Sequence, residues 1–325
     1  MPYPMANRAP GGGSFNSVAR GSGSGSNNRE NLMTTDIIVA TYKRYDLLQE
    51  ALQSVANQSY QGWTCWIAED GESHETYKAV KPFLQDNRFV YLPGTHAGLP
   101  SVPRNRAIRQ GNSRFIAILD DDDLWLPDKL EYQLHFFKSH PECVALGCNA
   151  FYWNGKGQWG ESPLYFKKEK LGKISYDRLL SQNYLIHSSL LLRRDSIEQS
   201  GLYNEKLNPH IGEDYELCLR VGALGEIWSL PDPYVVYRQT PSTFYSKLNR
   251  RDNYKASANI FESVLNGVEN IPSPLSFPEN AHLARACRRE RDFYLKGPRF
   301  LGRFRHEMPL RIKQFFNFEK RWNRE

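Results

Sequence analysis

Cysteine is scarce in this 325-residue chain. There are five (Cys65, Cys143, Cys148, Cys218 and Cys287), an odd number, scattered and without any C-x2-C pair. That excludes a zinc ribbon and a disulfide scaffold, and points to buried, reduced thiols of a cytosolic protein. No apolar run approaches the roughly 18 residues that mark a membrane span. The N-terminus lacks the apolar segment of a secretory leader. Residues 40–45, which follow the first apolar run, contain no glycine, so a glycine-rich phosphate cradle is excluded there. No serine or cysteine sits in a nucleophile motif. Acidic charge runs short in one region only. Residues 285–325 hold 13 Lys/Arg against five Asp/Glu, so of the net charge of +6 this tail carries +8 and the other 284 residues −2. Any attraction to an anionic surface therefore belongs to the tail.

What is present begins with a Gly/Ser/Asn-rich stretch over residues 1–34, which cannot bury enough apolar area to fold and reads as a disordered extension. From residue 35 the pattern alternates. Apolar strand-like runs at 36–40, 63–68, 88–92 and 114–119 are separated by helical periodicity at 46–58, 76–84 and 103–109, with Asp46 as the N-cap of the first helix. Such alternation predicts an α/β fold, a mostly parallel sheet flanked by helices. Two of the strands end in acid, at 69–70 and 120–123; if they are neighbours, one crevice receives both. A helix at 127–137, a strand at 143–148, a strand-like run at 187–193, a helix opened by Gly212 and closing strands at 226–230 and 234–238 complete the main body. After about residue 240 the chain turns helical, polar and basic.

The run Asp120–Asp123 is the sharpest chemical feature. Two unit charges about 4 Å apart at an effective dielectric near 20 interact by roughly 4 kcal/mol. Four carboxylates closing a core strand therefore call for a cation, and hard oxygen ligands suit Mg²⁺ or Mn²⁺. Strand C-termini are also where ligands bind in open α/β sheets. A solvated acidic turn explains the run as well when it is taken alone; its surroundings decide.

Those surroundings resemble an inverting family 2 glycosyltransferase with the GT-A fold. The resemblance is carried in order by Val39-Ala-Thr-Tyr-Lys-Arg44, Asn57-Gln-Ser-Tyr60, Glu69-Asp-Gly71, Arg104-Asn-Arg106, Leu119-Asp-Asp-Asp-Asp-Leu-Trp125, Pro127-Asp-Lys-Leu130, Gly212-Glu-Asp214 with Arg220, and Tyr237-Arg238. It covers residues 35–240, divided at 123/124 into a nucleotide half and an acceptor half, and leaves 241–325 as a helical basic extension. It implies that Thr41, Tyr42, Arg44, Asp70, Arg104, Asp120 and Asp121 bind the nucleotide-sugar. Asp70 would take the pyrimidine N3–H, favouring a UDP- or dTDP-type donor. It also implies Asp122 as the ligand of Mn²⁺ or Mg²⁺, Asp214 as general base, and Trp125, His187 and Glu213 on the acceptor side. Asp123 is left to cap the next helix. Ala40, Glu69 and Gln239 depart from the family pattern, the last replacing a histidine that reaches the metal or diphosphate in many relatives.

The resemblance thus implies a metal-dependent, non-processive transfer of one sugar to a glycan or lipid-linked glycan. Gln314 and Arg321-Trp322 lack the spacing of a processive enzyme. The rivals are a sugar-nucleotide-binding protein without transferase activity and a sugar-1-phosphate nucleotidyltransferase; the glycine-free loop after the first strand argues against the latter. Arginines interleaved with Phe293, Tyr294, Phe300, Phe304, Phe315, Phe316 and Trp322 suit an anionic membrane surface, and equally well a segment packed on the catalytic domain with a solvated basic face. The expected setting is cytoplasmic, peripheral on the inner membrane face, with no nucleic-acid partner.

Overall fold

The computed structural model describes residues 33–207, 212–239 and 250–296. The expected Gly/Ser-rich extension up to residue 32 and the tail aromatics from Phe300 onward lie outside the described residues. Four parallel strands form the first half: β1 (Thr35–Thr41), β2 (Trp63–Glu69), β3 (Phe89–Leu92) and β4 (Phe115–Asp120), in the order β3-β2-β1-β4. Between them run α1 (Tyr45–Ala56), α2 (His74–Val80) and α3 (Ser101–Gln110). The strand interiors Ile37–Val39 and Phe115–Leu119 are almost fully enclosed, which is why they read as unbroken apolar runs rather than alternating ones.

α1 begins one residue earlier than the periodicity suggested. Arg44 occupies the capping position without a side-chain cap, and Asp46 lies in the first turn, where the helix dipole favours its charge. The two acidic strand ends are not neighbours, because β1 separates them: Thr41 pairs with Glu69 and Ala40 with Asp120. Glu69 faces away from Asp120–Asp123. Its carboxylate accepts from Ser73 Oγ at 3.0 Å and from the hydroxyls of Thr76 and Tyr91, which ties the start of α2 to β3.

The second half turns the sheet from parallel to mixed. β5 (Leu124–Trp125), α4 (Lys129–Ser139), β6 (Cys143–Trp153), β7 (Gly172–Ile174), α5 (Tyr176–Ser181), β8 (Leu191–Arg193), α6 (Arg194–Ser200), α7 (Glu213–Val221) and β9 (Glu226–Arg238) follow in sequence. The sheet continues β4-β8-β6-β9-β5, with β8 antiparallel to both neighbours. The strand-like run at 187–193 is strand only from Leu191. His187–Ser189 form a 3-10 turn, because Ser188 bonds to the Asp120–Asp123 segment instead of a ladder. The two closing strands are one, β9, which crosses Pro231 and Pro233 where its register with β6 slips; the buried Asn149 Nδ2 donates to Pro231 O at 3.3 Å there.

Two further helices, α8 (Arg250–Asn266) and α9 (Ala281–Lys296), pack on α7 and α5 rather than standing apart. Ser263 Oγ of α8 donates to Glu216 at 2.6 Å, and α9 buries Ala284, Cys287 and Glu290. All five cysteines are buried and free.

Candidate functional site

The C-terminal ends of β1, β2 and β4 open on one side of the sheet, and the N-terminus of α7 faces them. The sequence reaches this layout locally. β1 stops where Lys43 takes a left-handed backbone (φ 55°), and α7 begins after Gly212 (φ 75°), a conformation glycine adopts without a Cβ penalty.

The four aspartates differ sharply in surroundings. Asp120 accepts from Arg104 Nη2 at 2.7 Å and lies 2.9 Å from His187 Nδ1. Burial opposes its charge, but His187 and Arg104 hold its carboxyl well below the usual range. Arg104, itself buried, also donates to Glu213 at 2.9 Å, so one guanidinium joins the end of β4 to the start of α7. Asp123 accepts from Ser188 Oγ and from the Arg238 amide at 2.8 Å. It does not cap α4, whose capping position is Asp128; it fixes β9 beside the site instead. Asp121 and Asp122 share one partner, Arg44, whose Nη1 bridges them at 2.9 and 2.7 Å. Burial pushes the Asp121 carboxyl up to about 6, with Arg44 opposing and Asp122 adding to the rise. Thr41 is buried at the end of β1, next to them.

Two side-by-side carboxylates are a sparse but adequate set for Mg²⁺ or Mn²⁺, which keep waters and take phosphate oxygens from substrate. Among the described residues no group of three or more His, Cys, Asp or Glu side chains forms a ready metal cage. The two carboxylates that Arg44 bridges could offer oxygens to such a cation.

Asp70 sits at the far end. Its two oxygens accept from the amides of Ala97 and Gly98 at 2.7 and 2.8 Å, and His96 Nδ1 lies 3.0 Å away. Tyr42 is 41% exposed and stacks on His96 with centroids 4.4 Å apart. His96 escaped sequence reasoning; its only signal is a position between Gly94 and Gly98.

Two expected acceptor-side residues turn inward. Trp125 is 3% exposed, donates its indole N–H to Ser188 O at 2.7 Å and lies under Lys129 Nζ, so it is a core residue. His187 is enclosed by Asp120 on one nitrogen and by Tyr203 OH at 2.8 Å on the other. Both polar faces of that ring are therefore used within the chain. Glu213 is held by Arg104, whereas Asp214 beside it has one long contact, Asn183 Nδ2 at 3.5 Å. Burial and then Glu213 raise the Asp214 pKa, with His187 opposing.

The profile described as Glycosyl transferase family 2 matches residues 36–201. A stretch of 98 residues is 34% identical to the Escherichia coli UDP-Glc:alpha-D-GlcNAc-diphosphoundecaprenol beta-1,3-glucosyltransferase WfgD, spanning 30% of this chain and 38% of that protein's length. Staphylococcus aureus TarS 1-349, crystallised in complex with UDP, superposes with a TM-score of 0.61 at 20% identity, over 88% of this chain and 78% of TarS. The Pyrobaculum calidifontis mannosyltransferase PcManGT, in complex with GDP-Man and Mn2+, gives 0.54 at 14% identity, over 89% and 81%. These two share the GT-A-like fold. With a matching profile over half its length, one that includes the ends of β1, β2 and β4, the chain belongs to glycosyl transferase family 2.

Proposed function

We propose that the chain transfers one sugar from a nucleotide-sugar to a hydroxyl of a glycan or lipid-linked glycan, with inversion and with a divalent metal. The observation that carries this reading is the Arg104 bridge from Asp120, at the end of β4, to Glu213, at the start of α7, which brings the aspartate run to the helix start that bears Asp214. Tyr42 and Asp70 would hold a pyrimidine base at one end, and Arg44 and Asp121 the ribose and phosphates. Asp122, with Asp121 beside it, would hold Mn²⁺ or Mg²⁺, which supplies charge neutralisation for the departing diphosphate. Asp214 then takes the proton of the attacking hydroxyl. A single displacement needs no enzyme nucleophile. The raised proton affinity of Asp214 suits a base, since proton transfer is most effective when the pKa approaches the working pH. Relatives such as WfgD, named for a sugar-diphosphoundecaprenol acceptor, favour a lipid-linked acceptor.

No helix among the described residues is long and apolar enough to cross a membrane. Contact with an anionic bilayer would instead fall to α9, where Arg285, Arg288 and Arg289 are exposed, together with the basic segment beyond it.

The test is transfer from a panel of UDP- and dTDP-sugars with Mn²⁺, with the anomeric configuration of the product read by NMR. Asp214→Asn should keep donor binding and lose transfer by about 10²- to 10⁴-fold. Near wild-type turnover by that variant would remove Asp214 from the role, and a retained anomeric configuration would overturn the single displacement. A donor-binding protein without activity gives thermal stabilisation and no product.

A further inference from the structure

Beyond the residues placed so far, two tyrosines, Tyr165 and Tyr237, pack together beside the aspartate run. Tyr237 lies on β9, one residue before Arg238, whose amide holds Asp123. Opposite it on β6 is Tyr152. The chain after β6 folds back along the same strand. Tyr152 N–H donates to Pro163 O at 2.8 Å and Tyr165 N–H to Ala150 O at 2.9 Å, while Asn149 brackets Phe166 through both its side-chain atoms. This returning segment presses Tyr165 edge-on against Tyr237, ring centroids 5.1 Å apart, so the pair is held firmly.

The hydroxyls of this pair, like that of the buried Tyr184, are not spent within the described part of the protein. Tyr60, Tyr91, Tyr132, Tyr176, Tyr203 and Tyr215 all direct theirs to protein partners. Among the described residues, Tyr165 and Tyr237 direct theirs to none. A half-buried phenol O–H with no partner forfeits a hydrogen bond, which natural sites seldom do without a ligand or water to complete it. The site's carboxylates also act on both rings electrostatically. After burial and Tyr152, the charges of Asp214 and Asp123 raise the Tyr165 pKa. After burial and Tyr165, the charges of Asp123, Asp120 and Asp122 raise that of Tyr237. Both phenols therefore stay protonated and keep a donor to offer.

We propose that Tyr165 and Tyr237 bind the acceptor: their hydroxyls hydrogen-bond a saccharide ring of the acceptor glycan and present its reacting hydroxyl to Asp214. This rests on the reading of Asp214 as the base and adds a specificity-determining pair to it. It makes the aromatic stretch after β6 part of the site rather than packing alone.

Tyr165→Phe and Tyr237→Phe remove one oxygen each and keep the ring packing. The assay uses α-N-acetylglucosaminyl diphosphate on a short prenyl chain as acceptor. Each variant should raise the acceptor KM about tenfold, the size of one lost hydrogen bond in a partly desolvated site. The Kd for UDP with Mn²⁺, by calorimetry, should stay within twofold of wild type. Acceptor KM values unchanged in both variants overturn the proposal, as does a weakened UDP Kd, which would assign the pair to the donor. Asp214→Asn separates the two readings. If it transfers normally the base assignment fails, while the tyrosine KM values stand or fall on their own.

Discussion

The carboxylates of residues 120–123 are chemically identical in sequence and unlike one another in the fold. Asp120 is held by Arg104 and His187, Asp123 is consumed by Ser188 and the Arg238 amide, and Asp121 and Asp122 share Arg44. Asp122→Ala should therefore abolish the Mn²⁺-dependent stabilisation by donor nucleotide. Wild type at about 100 times Kd should gain roughly 2.7 kcal/mol, read as a shift in Tm. A variant that keeps the full shift would relocate the metal. Lys129 offers a second test at this scale. It is fully buried against Trp125, with Nζ 2.7 Å from Gln133 Oε1, and burial lowers its pKa to about 8. The unfolded chain binds that proton more tightly, so the penalty on folding is present below pH 8. It disappears as pH rises from 8 through 10.5. Lys129→Met should stabilise the protein at pH 7 by up to about 3 kcal/mol, with an advantage that shrinks by pH 10. An advantage constant over that range would place the effect in packing instead.

Among the elements, α7 is the one whose placement the chemistry depends on. Its interior carries a fully buried Glu216–Arg220 pair at 2.6 Å. Arg220 reaches on to the carbonyls of Ser200 and Leu202, and Ser263 of α8 donates to Glu216. Arg220→Met would leave Glu216 uncompensated, a loss of about 3–5 kcal/mol. Its Tm should fall by on the order of 10 °C for a chain of this size. A fall of only a degree or two would mean that water or a neighbour rescues Glu216. The helices α1 to α4 and the strands β1 to β4 were legible because their apolar spacing is local and strong. β5 and β7 were not, since two or three residues carry no period. The inward turn of Trp125 and His187 was also hidden, because its causes, Ser188 and Tyr203, are set by tertiary contact.

For the molecule as a whole, charge is divided between a slightly acidic body and a basic C-terminal segment. α9 uses Ala284, Cys287 and Glu290 to pack and leaves Arg285, Arg288 and Arg289 exposed, with Leu295 at 64% exposure. Deleting residues 297–325 should weaken sedimentation with anionic liposomes, and 0.5 M salt should weaken it in the full chain, as expected for screened Lys/Arg contacts. Unchanged, salt-insensitive sedimentation would sink the membrane assignment. The sequence alone determined the alternating strand–helix half, the acidic end of β4, the Gly212-Glu-Asp214 helix start and the family these motifs belong to, because each is written in contiguous residues. Only the tertiary structure decided which carboxylates remain available, that Arg104 joins the two halves, and that Tyr165 meets Tyr237. Those outcomes depend on pairings between groups 16 to 115 positions apart in the chain. A side chain's role is set by the partner that reaches it first, and local spacing does not encode that partner.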